Sequence, residues 1–336
     1  MTRNDVNGAG DLSGDPAWAE INGFGFYVPE HNLHVGIYVL LRPALGVATA
    51  SVFMNSRDDA VLPWRAEYSD MRSHLPLPEA ADLDDLRLAN GLHIRSGQAG
   101  ARRHFSYYDG AGTGFEIGFD ALMAPFDAFD PTCNPLAPKP NGAHNGNAQF
   151  HYEQTGRFVG DLRLRGQPMR VDCVSTLNRG RGLRRERGQQ PPATPNMSWL
   201  HAHFGPDLAL HATMLFDQRR GGTDLELRYG YVLTNGAVHG LMGGIGTVER
   251  DDDLFARRIG LELTDTTGAT HRLSGQALTR LLWPTWPNMM ACTALLDWQH
   301  HDQRGRRGHG EVQDFFEVPA LQLDAATQHE RAAQQP

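Results

Sequence analysis

Apolar residues in this 336-residue chain come in short runs that never lengthen into a helix. Phe24-Gly25-Phe26-Tyr27-Val28 and the stretches 33–41 and 47–54 are rich in aromatic and β-branched side chains, and Pro43 and Gly46 separate the last two. Runs of about four to eight such residues, bounded by turn formers, read as the strands of a meander. The rhythm returns at 92–94, 103–108 and 114–119, with a hairpin turn at Asp109-Gly110. Only 78–90, with Leu83, Leu86 and Leu88, reads as a short helix or a loop. The 37 glycines and 20 prolines suit many short strands joined by turns.

Between 127 and 149 the character changes. Asp130-Pro131, Asn134-Pro135, Pro138, Pro140-Asn141-Gly142 and Asn145-Gly146-Asn147 accumulate there, marking a long loop and the best domain boundary. Beyond it the strand pattern resumes. Leu162 and Leu164 alternate with Asp161, Arg163 and Arg165, as in a half-buried strand. Further strands are expected at 198–204, 208–216, 225–233, 241–248, 259–263, 271–273 and 311–318. The expected organisation is all-β: a disordered segment 1–16, one β-domain over 17–140, a second over 141–324, and a flexible tail 325–336. Two successive meanders are compatible with barrels or sandwiches.

Composition removes several function classes. Net charge is −8 and Lys139 is the sole lysine, which argues against a nucleic-acid partner. No window approaches about 18 apolar residues, so no membrane span is expected. The polar N-terminus lacks the apolar core of a signal peptide. Cys133, Cys173 and Cys292 are far apart and read as free thiols, pointing to a reducing, cytoplasmic setting. There is no GxGxxG after a strand, no GxxxxGK[ST], no HExxH and no GxSxG, so no cofactor is expected. The glycine-rich stretch 240–246 lies in a strand-like region, where close backbone approach is the expectation.

Sixteen histidines are the most unusual feature of the composition. His201-Ala202-His203 sets two imidazoles on one face of a strand, because side chains alternate with period two. HxH on a strand can begin a metal site, yet no spaced Glu with a third His completes the set, and no metal is expected. A metal-dependent enzyme using His201, His203 and a remote His or Glu stays open as an alternative. His151 and Glu153 also share a strand face, where the carboxylate could hold the imidazole's tautomer for general acid–base work. A surface pair is the competing reading. Trp199, Trp283 and Trp286 suit the wall of an apolar pocket, and equally suit core packing. Arg179, Arg181, Arg184, Arg185 and Arg187 form a basic run, read either as a solvated loop or as an anion contact.

The middle of the chain resembles a known superfamily. His151-Tyr152-Glu153-Gln154-Thr155-Gly156-Arg157-Phe158-Val159-Gly160, the strand through Asp172, and Asn178-Arg179-Gly180-Arg181-Gly182 are similar to the two-domain lipocalin-like proteins related to carotenoid 1,2-hydratases. The opening at Trp18 and the late Gly308-His309-Gly310-Glu311 also fit its uncharacterised bacterial branch. The resemblance implies two consecutive lipocalin-like β-barrel or sandwich domains with a hydrophobic cavity near their junction. It also implies water addition to an alkene, begun by an acidic side chain. The hydratases carry His-Asp-His-Asn where this chain has Ser175-Thr176-Leu177-Asn178, so the usual aspartate is absent from its place.

The leading expectation is therefore a cofactor-independent acid–base enzyme: a hydratase or dehydratase, an isomerase or a cyclase acting on a hydrophobic terpenoid, steroid or polyketide-like molecule. Glu153 or His151 would transfer the proton, with His201 as a further candidate and Asn178 orienting substrate or water. Trp199, His203, Asp172, Trp283 and Trp286 would contact the substrate. A non-catalytic carrier of an apolar ligand is the alternative.

Overall fold

The computed structural model describes residues 14–78, 84–97, 101–137, 150–184, 196–218, 222–286, 289–303, 305–319 and 321–322. The ends expected to be disordered lie almost wholly outside the described residues, as do the loop 138–149 and Arg185 and Arg187 of the basic run. No helix among the described residues is long and apolar enough to cross a membrane.

The structure is nearly all β, in two units. The first holds β1 (Trp18–Val28), β2 (Leu33–Arg42), β3 (Val47–Asn55), β4 (Tyr68–Pro76), β5 (Asp85–Arg87), β6 (His93–Ser96), β7 (Arg102–Tyr108), β8 (Gly114–Ala121), β9 (Phe126–Asp127), β10 (Phe150–Leu164) and β11 (Gln167–Leu183). Their order is β4-β3-β2-β1-β11-β10-β8-β7-β6-β5, with β9 on β10. The sheet curls around Phe26, Phe105, Phe115, Phe119 and Phe158, each of which contributes about 1.5–3 kcal/mol by burial. Leu86 anchors β5, so part of the stretch read as helix or loop is a short strand.

The second unit holds β12 (Asn196–Gly205), β13 (Leu208–Phe216), β14 (Asp224–Thr234), β15 (Ala237–Arg250), β16 (Ala256–Asp265), β17 (Thr270–Ala277), β18 (Leu281–Trp286), β19 (Met289–His300) and β20 (Arg306–Glu317). Pairing of β17 with β19 closes eight of these strands into a barrel, and β18 adds to β19 from outside. Closure removes the exposed edges that an open sheet would leave. The glycine-rich stretch 240–246 lies within β15, where a Cβ on Gly240 would come 2.6 Å from the Cys133 carbonyl oxygen. Close backbone approach is thus its role.

The change of sheet falls between Leu183 and Asn196. β10 and β11 lie past the proline- and asparagine-rich loop, yet they hydrogen-bond into the first unit between β1 and β8. This differs from the 140/141 division read from sequence. Composition marks a loop, while strand pairing decides which sheet the chain rejoins.

The two units meet by their outer faces. On β12 the pleat sends Leu200, Ala202 and Phe204 into the barrel core, so Trp199, His201 and His203 point outward. On β10 and β11, Phe158 and Leu177 face the first core, so Glu153, Thr155, Thr176 and Asn178 point outward. These outward side chains are buried all the same, Asn178 only partly, because each face covers the other.

Candidate active site between the two units

Glu153 is the centre of the interface. It sits on β10 directly opposite Asn178 of β11 and is 0% exposed. Its Oε1 accepts a hydrogen bond from Trp199 Nε1 at 2.8 Å and lies 3.0 Å from His151 Nε2. A carboxylate can only accept, so His151 donates through Nε2 and its buried Nδ1 is left without a partner. Glu153 Oε2 is also buried and unpartnered. The carboxylate is thus held by one oxygen and free at the other.

Two glycines make room for this arrangement. Gly180 lies opposite His151, and a Cβ there would come 2.8 Å from His151 Nδ1. Gly23 lies opposite Asn178, and a Cβ there would come 2.7 Å from Asn178 Oδ1. Asn178 Oδ1 is buried without a hydrogen bond.

The barrel supplies the facing wall. His201 of β12 and His211 of β13 are directly opposed across the hairpin, with ring centroids 4.7 Å apart. Trp199 meets His201 edge-on at 4.0 Å. His211 Nε2 lies 3.8 Å from Glu153 Oε1. Both ring nitrogens of His201 are buried and unpartnered. One ligand-type atom each from Glu153, His201 and His211 lie within 4.8 Å of one another. His203 is engaged elsewhere: Thr176 Oγ1 lies 2.9 Å from its Nε2. Thr176 in turn contacts Thr155, whose hydroxyl lies 2.7 Å from the Tyr231 hydroxyl.

Burial sets the charge states of this wall. Loss of hydration pushes the His201 imidazole well below its ordinary range, takes His203 down to about 3 and His211 to about 4. All three are therefore neutral at pH 7. Burial, with the Glu153 charge adding to it, raises the Tyr229 and Tyr231 phenols, which stay protonated.

A second acid–imidazole pair lies along the same interface. His34 Nε2 of β2 is 2.6 Å from Glu311 Oε2 of β20, and Gln313 Nε2 donates to Glu311 Oε1 at 3.1 Å. His34 and Glu311 border a small cavity of about 10 Å³ with Gly25, Tyr27, Ser175 and Leu295. This is smaller than the ~300–1,000 Å³ that holds a drug-sized ligand.

The structure gathers Glu153, His151, Asn178, Trp199, His201 and His203 into one interface. Asp172 shares the outward face of β11 but is exposed, in a bidentate pair with Arg157. Trp283 packs between the units in a separate cluster with Phe53, donating through Nε1 to Ser51 Oγ at 2.8 Å. The side chain of Trp286 lies outside the described residues. Arg179 points into the first unit and pairs with Asp84. Four participants escape a reading of sequence alone: His211, Tyr231, His34 and the Glu311 side chain. His211 was visible only as one of many histidines, and Glu311 only as the end of a Gly-His-Gly-Glu motif.

No curated protein matches the chain in sequence. Solved structures do match in fold. Kievitone hydratase from Nectria haematococca aligns with a TM-score of 0.52 at 11% identity, covering 95% of this chain and 96% of its own. A protein of Nitrosomonas europaea, NE1406, provisionally assigned as an AttH, aligns at 0.54 and 12% identity, over 88% and 91%. CghA aligns at 0.56 and 8% identity, over 91% and 89%. These are likenesses of fold, and they agree with the two-unit lipocalin-like architecture that the resemblance to the carotenoid hydratases implied. Residues 5–316 match the family described as a domain of unknown function, DUF7064, and the chain belongs to that family.

Proposed function

We propose that the chain is a hydratase- or cyclase-type enzyme that moves protons on a hydrophobic small molecule of terpenoid, steroid or polyketide-like character. The observation that carries this reading is the Glu153 carboxyl: fully buried, oriented through Oε1 by Trp199 and His151, and unpartnered at Oε2. A proton-transfer group needs a fixed orientation, one free oxygen and exclusion of bulk water. Glu153 would deliver or remove the proton, and His151 would exchange it through Nε2. The Trp199 ring face is a partner for a cationic intermediate, and Asn178 would orient substrate or water. The 10 Å³ cavity is far too small for such a substrate, so binding would part the facing surfaces of the two units. The hydratase among the fold relatives agrees with this class and does not name the substrate.

The reading is tested by incubating metal-free protein in D₂O with a panel of terpenoid alkenes, steroids and polyketide-like polyenes, followed by mass spectrometry. Hydration adds one water with a new C–D bond, while isomerisation or cyclisation introduces deuterium with no added water. Tight retention of a panel member with neither change would replace the enzyme by a carrier.

A further inference from the structure

We propose that Glu153, His201 and His211 form a binding site for a divalent first-row transition metal. The site rests on the cluster of the proposed function, but on a different property of it. Three donors from three strands converge: β10 brings the carboxylate, β12 and β13 an imidazole each, and their ligand atoms lie within 4.8 Å of one another. Two imidazoles and a carboxylate are a common set of three protein ligands for catalytic zinc, which leaves a fourth position open. Hard cations such as Mg²⁺ and Ca²⁺ prefer all-oxygen sets.

The hydrogen bonds around the cluster prepare it for an ion. His211 Nδ1 lies 3.2 Å from the Leu200 carbonyl oxygen, to which it can only donate. That bond leaves Nε2 as the acceptor, 3.4 Å from the Thr213 hydroxyl and 3.8 Å from Glu153 Oε1. An imidazole anchored by a backbone carbonyl through its other nitrogen is the usual outer-shell arrangement at metal sites. His201 strengthens the case. It is 1% exposed and neither ring nitrogen has a partner, although buried polar groups are nearly always satisfied. Glu153 Oε2 is a further unpartnered acceptor, while Trp199 and His151 hold Oε1 in place.

Of the HxH pair, which the metal-dependent alternative would use whole, this site takes only His201. His203 gives Nε2 to Thr176, and the second imidazole comes from His211, opposite His201 in register.

The test uses the full-length protein after chelation and dialysis. Co²⁺ is titrated in while the visible absorption of the ion is recorded, and Zn²⁺ then competes. The expected result is one ion per chain, with the intense absorption of tetrahedral nitrogen–oxygen coordination and displacement by Zn²⁺. His201→Gln, His211→Gln and Glu153→Gln should each weaken binding by more than the roughly 10- to 100-fold that loss of an outer-shell partner costs. His300→Gln, at a separate buried histidine paired with His271, should leave it unchanged. Folded wild-type protein that takes up neither ion overturns the proposal, whatever the variants do. A cobalt signal that follows His300 instead of His201 and His211 overturns the assignment. The readout is binding, so a site that fills without turnover refutes the enzyme reading alone, and turnover by protein that binds no ion refutes the metal alone.

Discussion

Replacing His201 by leucine should stabilise the metal-free protein. The ring is 1% exposed, and neither nitrogen has a hydrogen-bond partner. Each buried polar group left unsatisfied costs about 1–3 kcal/mol. Leucine removes both and keeps an apolar side chain of comparable volume against Trp199 and His211. What is lost is the edge-on ring pair with Trp199 at 4.0 Å, worth about 0.5–1.5 kcal/mol, and the tilted contact with His211. The balance is a gain of about 1 kcal/mol or more. Urea unfolding of chelated wild-type and His201→Leu proteins, followed by tryptophan fluorescence, measures it as a rise in midpoint at constant slope. If His201→Leu lowers stability by more than about 1 kcal/mol, the nitrogens have partners in solution and the reasoning fails. In zinc-saturated protein the sign should reverse, because only the wild type gains stability from the ion.

Other consequences can be checked independently. His203 and His211 titrate at about 3 and 4 in the folded chain and near 6.5 when unfolded. The unfolded state therefore binds more of these protons between about pH 6.5 and 3, and stability must fall as pH falls through that window. Melting temperatures from pH 7 to pH 4 should decline accordingly, and a flat profile would contradict the burial of neutral imidazoles. Inside the barrel, Asp314 is 0% exposed and pairs with Arg250 at 2.7 Å. Arg250→Met leaves that carboxylate uncompensated and should cost about 3–5 kcal/mol in calorimetry or urea unfolding, and a cost under about 1 kcal/mol would place the charge in water. Gly180→Ala puts a methyl 2.8 Å from His151 Nδ1 and should displace the imidazole, so turnover falls with little change in stability. Unaltered turnover in Gly180→Ala would remove His151 from the proton path.

Much of the architecture was legible from the spacing of apolar residues, because period-two alternation and turn formers reflect local chain geometry. The same logic puts His151 with Glu153, and His201 with His203, on shared faces. What alternation cannot say is what covers a face. The polar sides of β10 to β12 look like solvent-facing surfaces, yet they are buried against each other across the two units. Register is the second limit. His211 opposes His201 because the β12–β13 hairpin pairs with a one-residue shift between His203 and Gly205. A slip of one residue would send every side chain of the strand to the other face, and sequence does not display such a shift. Asp172 shows the converse. It has the correct face, but lies too far along β11 to be covered, so it meets Arg157 and solvent.

The central claim is that the buried Glu153 carboxyl transfers the proton. It is tested most directly on the first substrate found, by comparing wild type with Glu153→Gln for turnover and for ligand binding in the same metal-free preparation. The account predicts that Glu153→Gln loses about 10²–10⁴-fold in turnover while affinity stays close to wild type. Full turnover by Glu153→Gln, or loss of binding and turnover together, would contradict it.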